Sequence, residues 1–266
     1  MDLTNATVGV VGGTGRMGSW ISGMLERRGH RVFRSGRTSG LTLEQTARLC
    51  RVVILSVPVE STTGVAARIG PMLPPGSVLM DLTSVKDKPL KAMLENFQGE
   101  VVGLHPLFGP TAGESTAGLT VAVCPGRGTA GLRWIEETLR SEGYRVERIH
   151  PEEHDRIMGV VQGANHFMVL AFALFLGRCG VPVGEIENWS TPSFRVILDR
   201  IHGLLDQGEG LFRALLTENP ASLDAVDACA RFTNQFAEMV KGQRKSEFTT
   251  LFHELERVFN DERRMP

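Results

Sequence analysis

Two stretches of this chain hold residue types that do chemistry, and they lie about 90 residues apart. The first is Gly13-Thr14-Gly15-Arg16-Met17-Gly18, a glycine loop with the spacing that lets backbone N–H groups close on a phosphate. The second is Gly103-Leu104-His105-Pro106-Leu107-Phe108-Gly109-Pro110, which follows the strand-like run Glu100-Val101-Val102. Histidine titrates nearest neutral pH, so an imidazole held at a strand end by turn residues is placed to exchange a proton with a ligand. A nucleotide loop and an acid–base histidine together point to a dehydrogenase.

The loop sits in the context that makes it informative. It follows the apolar strand Val8–Val11, opens a helix from Met17 to Arg28, and precedes a second strand, His30–Phe33. An acidic residue after that strand would hold the ribose 2′-hydroxyl of NAD, but the chain reads Arg34-Ser35-Gly36-Arg37-Thr38. Arginine and hydroxyl groups there suit a 2′-phosphate, so NADP is expected over NAD, with Ser35 and Arg37 as ligands; the bland alternative is a solvated basic turn. Ser56-Val57-Pro58 ends the next core strand and borders the expected cofactor crevice, or is an ordinary strand–turn transition.

Other candidates are ambiguous when read alone. Ser84, in Asp81-Leu82-Thr83-Ser84-Val85-Lys86, either bonds a substrate hydroxyl, orients His105, or is a turn or cap residue. Lys86 reads as surface charge. His166 lies in an apolar helix, where an unpartnered imidazole is costly, so it is expected to face a cleft. His30, His150, His154, His202 and His253 read as structural or solvated. Arg195 and Arg200 are five apart, about 140° round a helix, so they cannot fully share a face; either Asp199 pairs with Arg195 four residues back, or one arginine forks onto a carboxylate.

The elements that must position these groups change character midway. Up to about residue 150, short β-rich runs alternate with helical stretches (43–50, 61–69, 88–97, 131–142), the pattern of parallel βαβ units. From Pro151 onward strand-like runs vanish, and helical patterns cover about 151–178, 192–206, 208–218, 221–241 and 246–259. The expected division is 1–150 and 151–266, packed directly with a cleft between.

Composition excludes several classes. In 266 residues, 29 Lys and Arg nearly balance 30 Asp and Glu, so no global field calls for nucleic acid or a membrane surface. Cys50, Cys124, Cys179 and Cys229 are widely spaced, which reads as free thiols in a reducing cytoplasm and no metal site. The N-terminus lacks the basic start of a signal peptide. Ile157–Leu176 has the length of a bilayer span, but Gln162, Asn165 and His166 interrupt it. A helix apolar on nearly all sides fits the centre of a helical domain or dimer better.

Taken together, GGTGRMG (12–18), SVP (56–58), DLTSVK (81–86), GLHPLFGP (103–110), EHDRIMGVVQGANHF (153–167) and STPSFR (190–195) resemble the prephenate dehydrogenases of tyrosine biosynthesis. The resemblance spans about residues 8–255. It implies a Rossmann-type dinucleotide-binding domain followed by an all-helical dimerisation domain, hence a cytoplasmic homodimer with its active site between the domains. It implies oxidative decarboxylation of prephenate to 4-hydroxyphenylpyruvate. His105 would take the 4-hydroxyl proton, and Ser84 would bond both histidine and substrate. His166 and either Arg195 or Arg200 would bind substrate, and residues 13–18 would hold the cofactor, NADP or NAD. Arogenate and 4-amino-4-deoxyprephenate remain alternative substrates. A β-hydroxyacid dehydrogenase or another NAD(P)-dependent reductase is a more distant alternative. The chain is expected to be monofunctional, without a chorismate mutase extension or an ACT domain.

Overall fold

The computed structural model describes residues 3–36, 41–109 and 116–262. Arg37 and Pro110 lie outside the described residues. Seven strands form one sheet: β1 (Thr7–Val11), β2 (Arg31–Ser35), β3 (Val52–Leu55), β4 (Val78–Asp81), β5 (Glu100–Pro106), β6 (Thr120–Arg127) and β7 (Arg145–Arg148). Their spatial order is β2-β1-β3-β4-β5-β6-β7. Pairing is parallel throughout except between β5 and β6, which run antiparallel. That reversal departs from the expected uniform βαβ pattern. No helix is found in the described residues between β5 and β6, so this connection is not the helical crossover that joins parallel neighbours.

Helices α1 (Arg16–Arg27), α2 (Leu43–Leu49), α3 (Val59–Ile69), α4 (Asp87–Asn96) and α5 (Ala130–Ser141) cover both faces of the sheet. The strands alternate accordingly. Val8, Val10, Ile54 and Met80 pack with Ile21, Met24 and Ile135, while Val11, Val53, Leu55 and Leu79 pack with Ala66, Ile69 and Met93. Near-continuous apolar strands are what burial on both faces demands.

The chain order reverses between β1 and β3, and there the backbone closes tightly. Gly12 has φ of 81°, and a Cβ on it would lie 2.2 Å from the carbonyl oxygen of Ser56. A Cβ on Gly18 would lie 2.2 Å from the Gly12 oxygen. The turn glycine is therefore Gly12, one residue before the run singled out in the sequence. His105, expected just beyond a short strand, is instead the second-last residue of β5.

From Pro151 onward the regular elements among the described residues are all helical: α6 (Pro151–Met158), a π-helical segment (Gly159–Ala164), α7 (Asn165–Arg178), α8 (Val183–Asn188), α9 (Pro192–Leu205), α10 (Glu209–Thr217), α11 (Pro220–Lys241) and α12 (Lys245–Glu262). Pro151–Arg178 is long and apolar enough to cross a membrane, and only 17% of its most apolar window is buried. The π segment crosses α11 at close range. A Cβ on Gly159 would lie 2.6 Å from the Ala221 oxygen, and one on Gly163 would lie 2.6 Å from Ser222 Oγ.

In an open helix interior, Gly→Ala gains roughly 0.5–1 kcal/mol. At Gly159 the obstacle is backbone, so Gly159→Ala is expected to cost about 1–3 kcal/mol instead. A urea titration reads this as a lower midpoint at unchanged slope, and an unmoved midpoint would show that the crossing is loose.

Candidate active site

Strand β5 carries His105 to the carboxyl end of the sheet, where ligands bind in doubly wound folds. The ring is buried, 3% exposed, at the edge of a cavity of about 490 Å3 between the sheet and the helices. Ser84, Gln162, His166, Arg200 and Phe212 line the same cavity. Phe108 anchors the segment beyond His105. It stacks on Tyr144 at 5.5 Å between centroids, and Tyr144 in turn accepts a 2.8 Å hydrogen bond from Trp20 Nε1.

His105 has partners on both sides. Its Nδ1 lies 2.9 Å from His154 Nε2, and His154 Nδ1 lies 2.7 Å from Asp155 Oδ1. The Asp155 carboxylate also accepts from the backbone N–H of Lys86 (2.8 Å) and of Asp87 (2.9 Å), which open helix α4. With two amide donors at a helix N-terminus pointing at it, this carboxylate acts as a hydrogen-bond acceptor. It therefore accepts a hydrogen bond from His154 Nδ1–H, and in the neutral His154 ring Nε2 is then an acceptor. His105 must then donate from Nδ1, and its Nε2 is a bare lone pair on the cavity side. Gln162 Nε2 stands 3.4 Å from that lone pair and donates toward it.

Beneath β5 lies a buried cation. Lys86 is fully buried, pairs with Asp81, and donates to the Leu104 carbonyl at 2.8 Å. Asp81 also accepts from Thr83 N at 3.0 Å. Burial, the adjacent His154 and the Lys86 ammonium hold the His105 pKa well below the ordinary 6.5. The ring is neutral at physiological pH and can accept a proton. His166 donates Nδ1–H to the Gln162 carbonyl at 2.6 Å. Burial lowers its pKa most, and Arg200 adds to the shift.

Several sequence readings change here. His154, read as structural or solvated, is the hydrogen-bond partner of His105, and Lys86, read as surface charge, is fully buried. The signal for His154 was its neighbour: a His-Asp pair next to a helix start is a donor–acceptor unit. Ser84 lines the cavity but makes no hydrogen bond to His105, so the orienting partner is His154. The two arginines separate. Arg200 faces this cavity, whereas Arg195 lines a different groove with Glu187 and Asp199, because their angular spacing forbids a shared face.

The dinucleotide candidates collect at the β1–α1 turn. Gly12 N and Gly13 N donate to the Ser35 carbonyl at 2.7 and 3.1 Å. Ser35 is itself buried, with its hydroxyl donated to the Leu41 carbonyl at 3.2 Å, so it braces the loop and does not present its hydroxyl outward. Gly15 caps α1 without a side-chain bond, and the first turn holds no acid, which leaves N–H groups free for a phosphate. Thr14 and Gly15 lie in this turn, Met17 reaches the His105 cavity, and Arg16 donates to the Gln207 carbonyl at 3.4 Å across the cleft. Ser56 and Pro58 follow β3 directly beside Gly12.

Comparison with known proteins gives a consistent picture. A family model for the nucleotide-binding domain of prephenate dehydrogenase matches residues 32–147, and one for its dimerization domain matches 150–254. The T-protein of Enterobacter agglomerans is 33% identical over 253 residues, covering 95% of this chain and 67% of that protein. A probable arogenate/prephenate dehydrogenase of Methanocaldococcus jannaschii is 28% identical, covering 98% and 63%. The chain thus spans about two thirds of the length of these two relatives. A 4-amino-4-deoxyprephenate dehydrogenase of Streptomyces pristinaespiralis is 28% identical, covering 95% and 90%. The fold superposes on the prephenate dehydrogenase of A. aeolicus, crystallised with hydroxyphenyl propionate and NAD+, at TM-score 0.78 and 20% identity over 98% of this chain and 99% of that one.

The hydrogen-bond chain fixes a measurable tautomer. Imidazole nitrogen NMR is expected to find His105 protonated at Nδ1, bare at Nε2, and neutral well below pH 6.5. Because its folded pKa is lowered, the stability tied to the neutral ring is full above about pH 6.5 and declines as pH falls toward the folded pKa. A ring that titrates at 6.5, or carries its proton on Nε2, would break the chain as drawn.

Proposed function

The chain belongs to the prephenate dehydrogenase family, and from that premise we propose that it converts prephenate to 4-hydroxyphenylpyruvate with reduction of a nicotinamide cofactor. The observation that carries the choice of substrate is the charge of the cavity. Among the described residues its lining holds Arg200, His105 and His166 but no carboxylate. Prephenate bears two carboxylates and no ammonium. Arogenate carries an ammonium on its side chain, and 4-amino-4-deoxyprephenate carries one at C4. A cationic or neutral wall without acids suits the first and gives the other two no partner for their charge.

The cofactor fits the β1–α1 turn, whose tight closure a Cβ on Gly12 or Gly18 would prevent. Residues 13–18 would hold its pyrophosphate, and the nicotinamide supplies the hydride acceptor. NADP is favoured over NAD. Arg34 lies against Gly13 at the end of β2, and its 2.7 Å pair with Glu26 is surface-exposed, worth at most ~1 kcal/mol, and easily exchanged for a phosphate.

His105 Nε2 accepts the hydrogen bond of the substrate 4-hydroxyl and then its proton as C4 is oxidised. The imidazolium so formed keeps donating from Nδ1 to His154, whose own Nδ1–H faces the Asp155 carboxylate. The new charge is thus offset without moving an atom. Arg200 clamps a substrate carboxylate, His166 offers Nε2 from the opposite wall, and Ser84 is within the cavity to bond the hydroxyl. Loss of CO2 aromatises the ring, so the protein chiefly orients groups and handles charge.

The helical part supports a homodimer. Phe232, Phe236, Phe248, Phe252 and Phe259 are exposed along α11 and α12, too much apolar surface to leave in water. Cys50 and Cys124 are buried free thiols, in keeping with a cytoplasmic enzyme.

Steady-state kcat/KM on the three acids, each with NAD and NADP, tests the substrate and cofactor together. Prephenate with NADP is expected to lead, the other acids trailing by ~10-fold or more, the effect of one unpaired buried charge or hydrogen bond. Negligible prephenate turnover would sink the reading. Light scattering at micromolar concentration is expected to give twice the 29.1 kDa chain mass, and a monomer would refute the dimer.

A further inference from the structure

The wall opposite His105 presents an amide that the proton relay does not use. His154, Met158, Gln162 and His166 recur every four residues along one helix. In an α-helix of 3.6 residues per turn such a column drifts by about 40° at each step. Here Gly159–Ala164 is π-helical, and its wider turn counteracts the drift. The column therefore stays turned toward β5, with His154 2.9 Å from His105 Nδ1 and Gln162 Nε2 3.4 Å from His105 Nε2. His105 Nε2 is an acceptor, so the Gln162 amide must present its N–H side.

We propose that Gln162 sets the choice of C4 substituent, because its N–H and the His105 lone pair form an adjacent donor–acceptor pair that a hydroxyl satisfies in both senses and an ammonium in only one. The inference rests on the substrate reading above. A 4-hydroxyl donates to His105 Nε2 while its oxygen accepts from Gln162 Nε2–H. An ammonium has donors and no acceptor, so pairing it requires the Gln162 amide to turn and present Oε1, giving up the orientation it holds against His105 Nε2. The charges near this point are the Lys86 ammonium beneath His105 and Arg200 across the cavity, and no described lining residue is acidic. Sites built to pair a hydroxyl reject analogues that leave a buried polar group unpaired.

The test compares wild type, Gln162→Met and Gln162→Glu on prephenate and on 4-amino-4-deoxyprephenate, with thermal unfolding of each variant. Wild type is expected to prefer the hydroxyl acid. Gln162→Met removes the donor and should lower kcat/KM for prephenate ~10-fold while leaving the amine unchanged, the loss of one hydrogen bond. Gln162→Glu supplies an acceptor for the ammonium and should move the ratio ~100-fold toward the amine. A substituent ratio unchanged in folded Glu and Met variants overturns the role of Gln162 while the substrate reading stands. Should only the Glu variant fold, its ratio alone decides. A wild type that prefers the amine, or turns over neither acid, defeats both.

Discussion

The carboxylate of Asp155 joins the two parts of the molecule and sets the chemistry of the site in the same act. It replaces the missing side-chain cap of α4 by accepting from Lys86 N and Asp87 N, groups that belong to the sheet part. It also accepts from His154 on its own helix, and Asn219 at the start of α11 donates to its backbone carbonyl at 2.8 Å. A helix N-terminus favours a negative charge, so docking the helical part brings the Asp155 carboxylate to a place that suits it. The orientation of both imidazoles follows from that docking, since an acceptor at one end of the chain forces every later nitrogen into donor or acceptor.

A second buried charge works against the first in a useful way. Lys86 and Asp81 form an ion pair with neither side chain exposed, an arrangement whose desolvation is seldom repaid in stability alone. Its ammonium grips the carbonyl of Leu104, the residue before His105, and so fixes the strand end. It also places positive charge near a ring that must stay neutral until substrate arrives. In the proposed reaction Asp155 then offsets the charge once it forms. On that reading the neutral resting state and the charged transition state are served by different groups, which avoids stabilising both equally.

Much of this was legible in the sequence, and the failures share a cause. The helical half, the strands and the glycine loop follow from periodicity and turn residues, which are local. His105 was legible for the same reason. What sequence spacing hides is partnership across the cleft: His154 and Lys86 are unremarkable in their own segments and matter only because β5 and α6 meet. Ser84 lines the cavity as a candidate of its kind should, but its neighbour in space could not be read, and His154 occupies the place at the His105 ring that was one of the places open to Ser84. Arg195 and Arg200 were inseparable by type, and only the rotation of α9 against the cavity distinguishes them.

Pro151–Arg178 shows why composition alone misleads. By length and hydropathy it could span a bilayer, yet it carries His154, Asp155, Gln162 and His166. A lipid-facing helix would have to hide these groups from hydrocarbon. Here they align on one side because the π segment resets the helical phase, and that side meets the sheet. The price of the π segment is two glycines pressed against α11, where no side chain fits. The remaining apolar side, including Leu174 and Phe175, is left exposed in the single chain. One helix therefore divides its circumference between a polar side that meets the sheet and an exposed apolar side, and the phase shift between them is what allows both to be written into the same 28 residues.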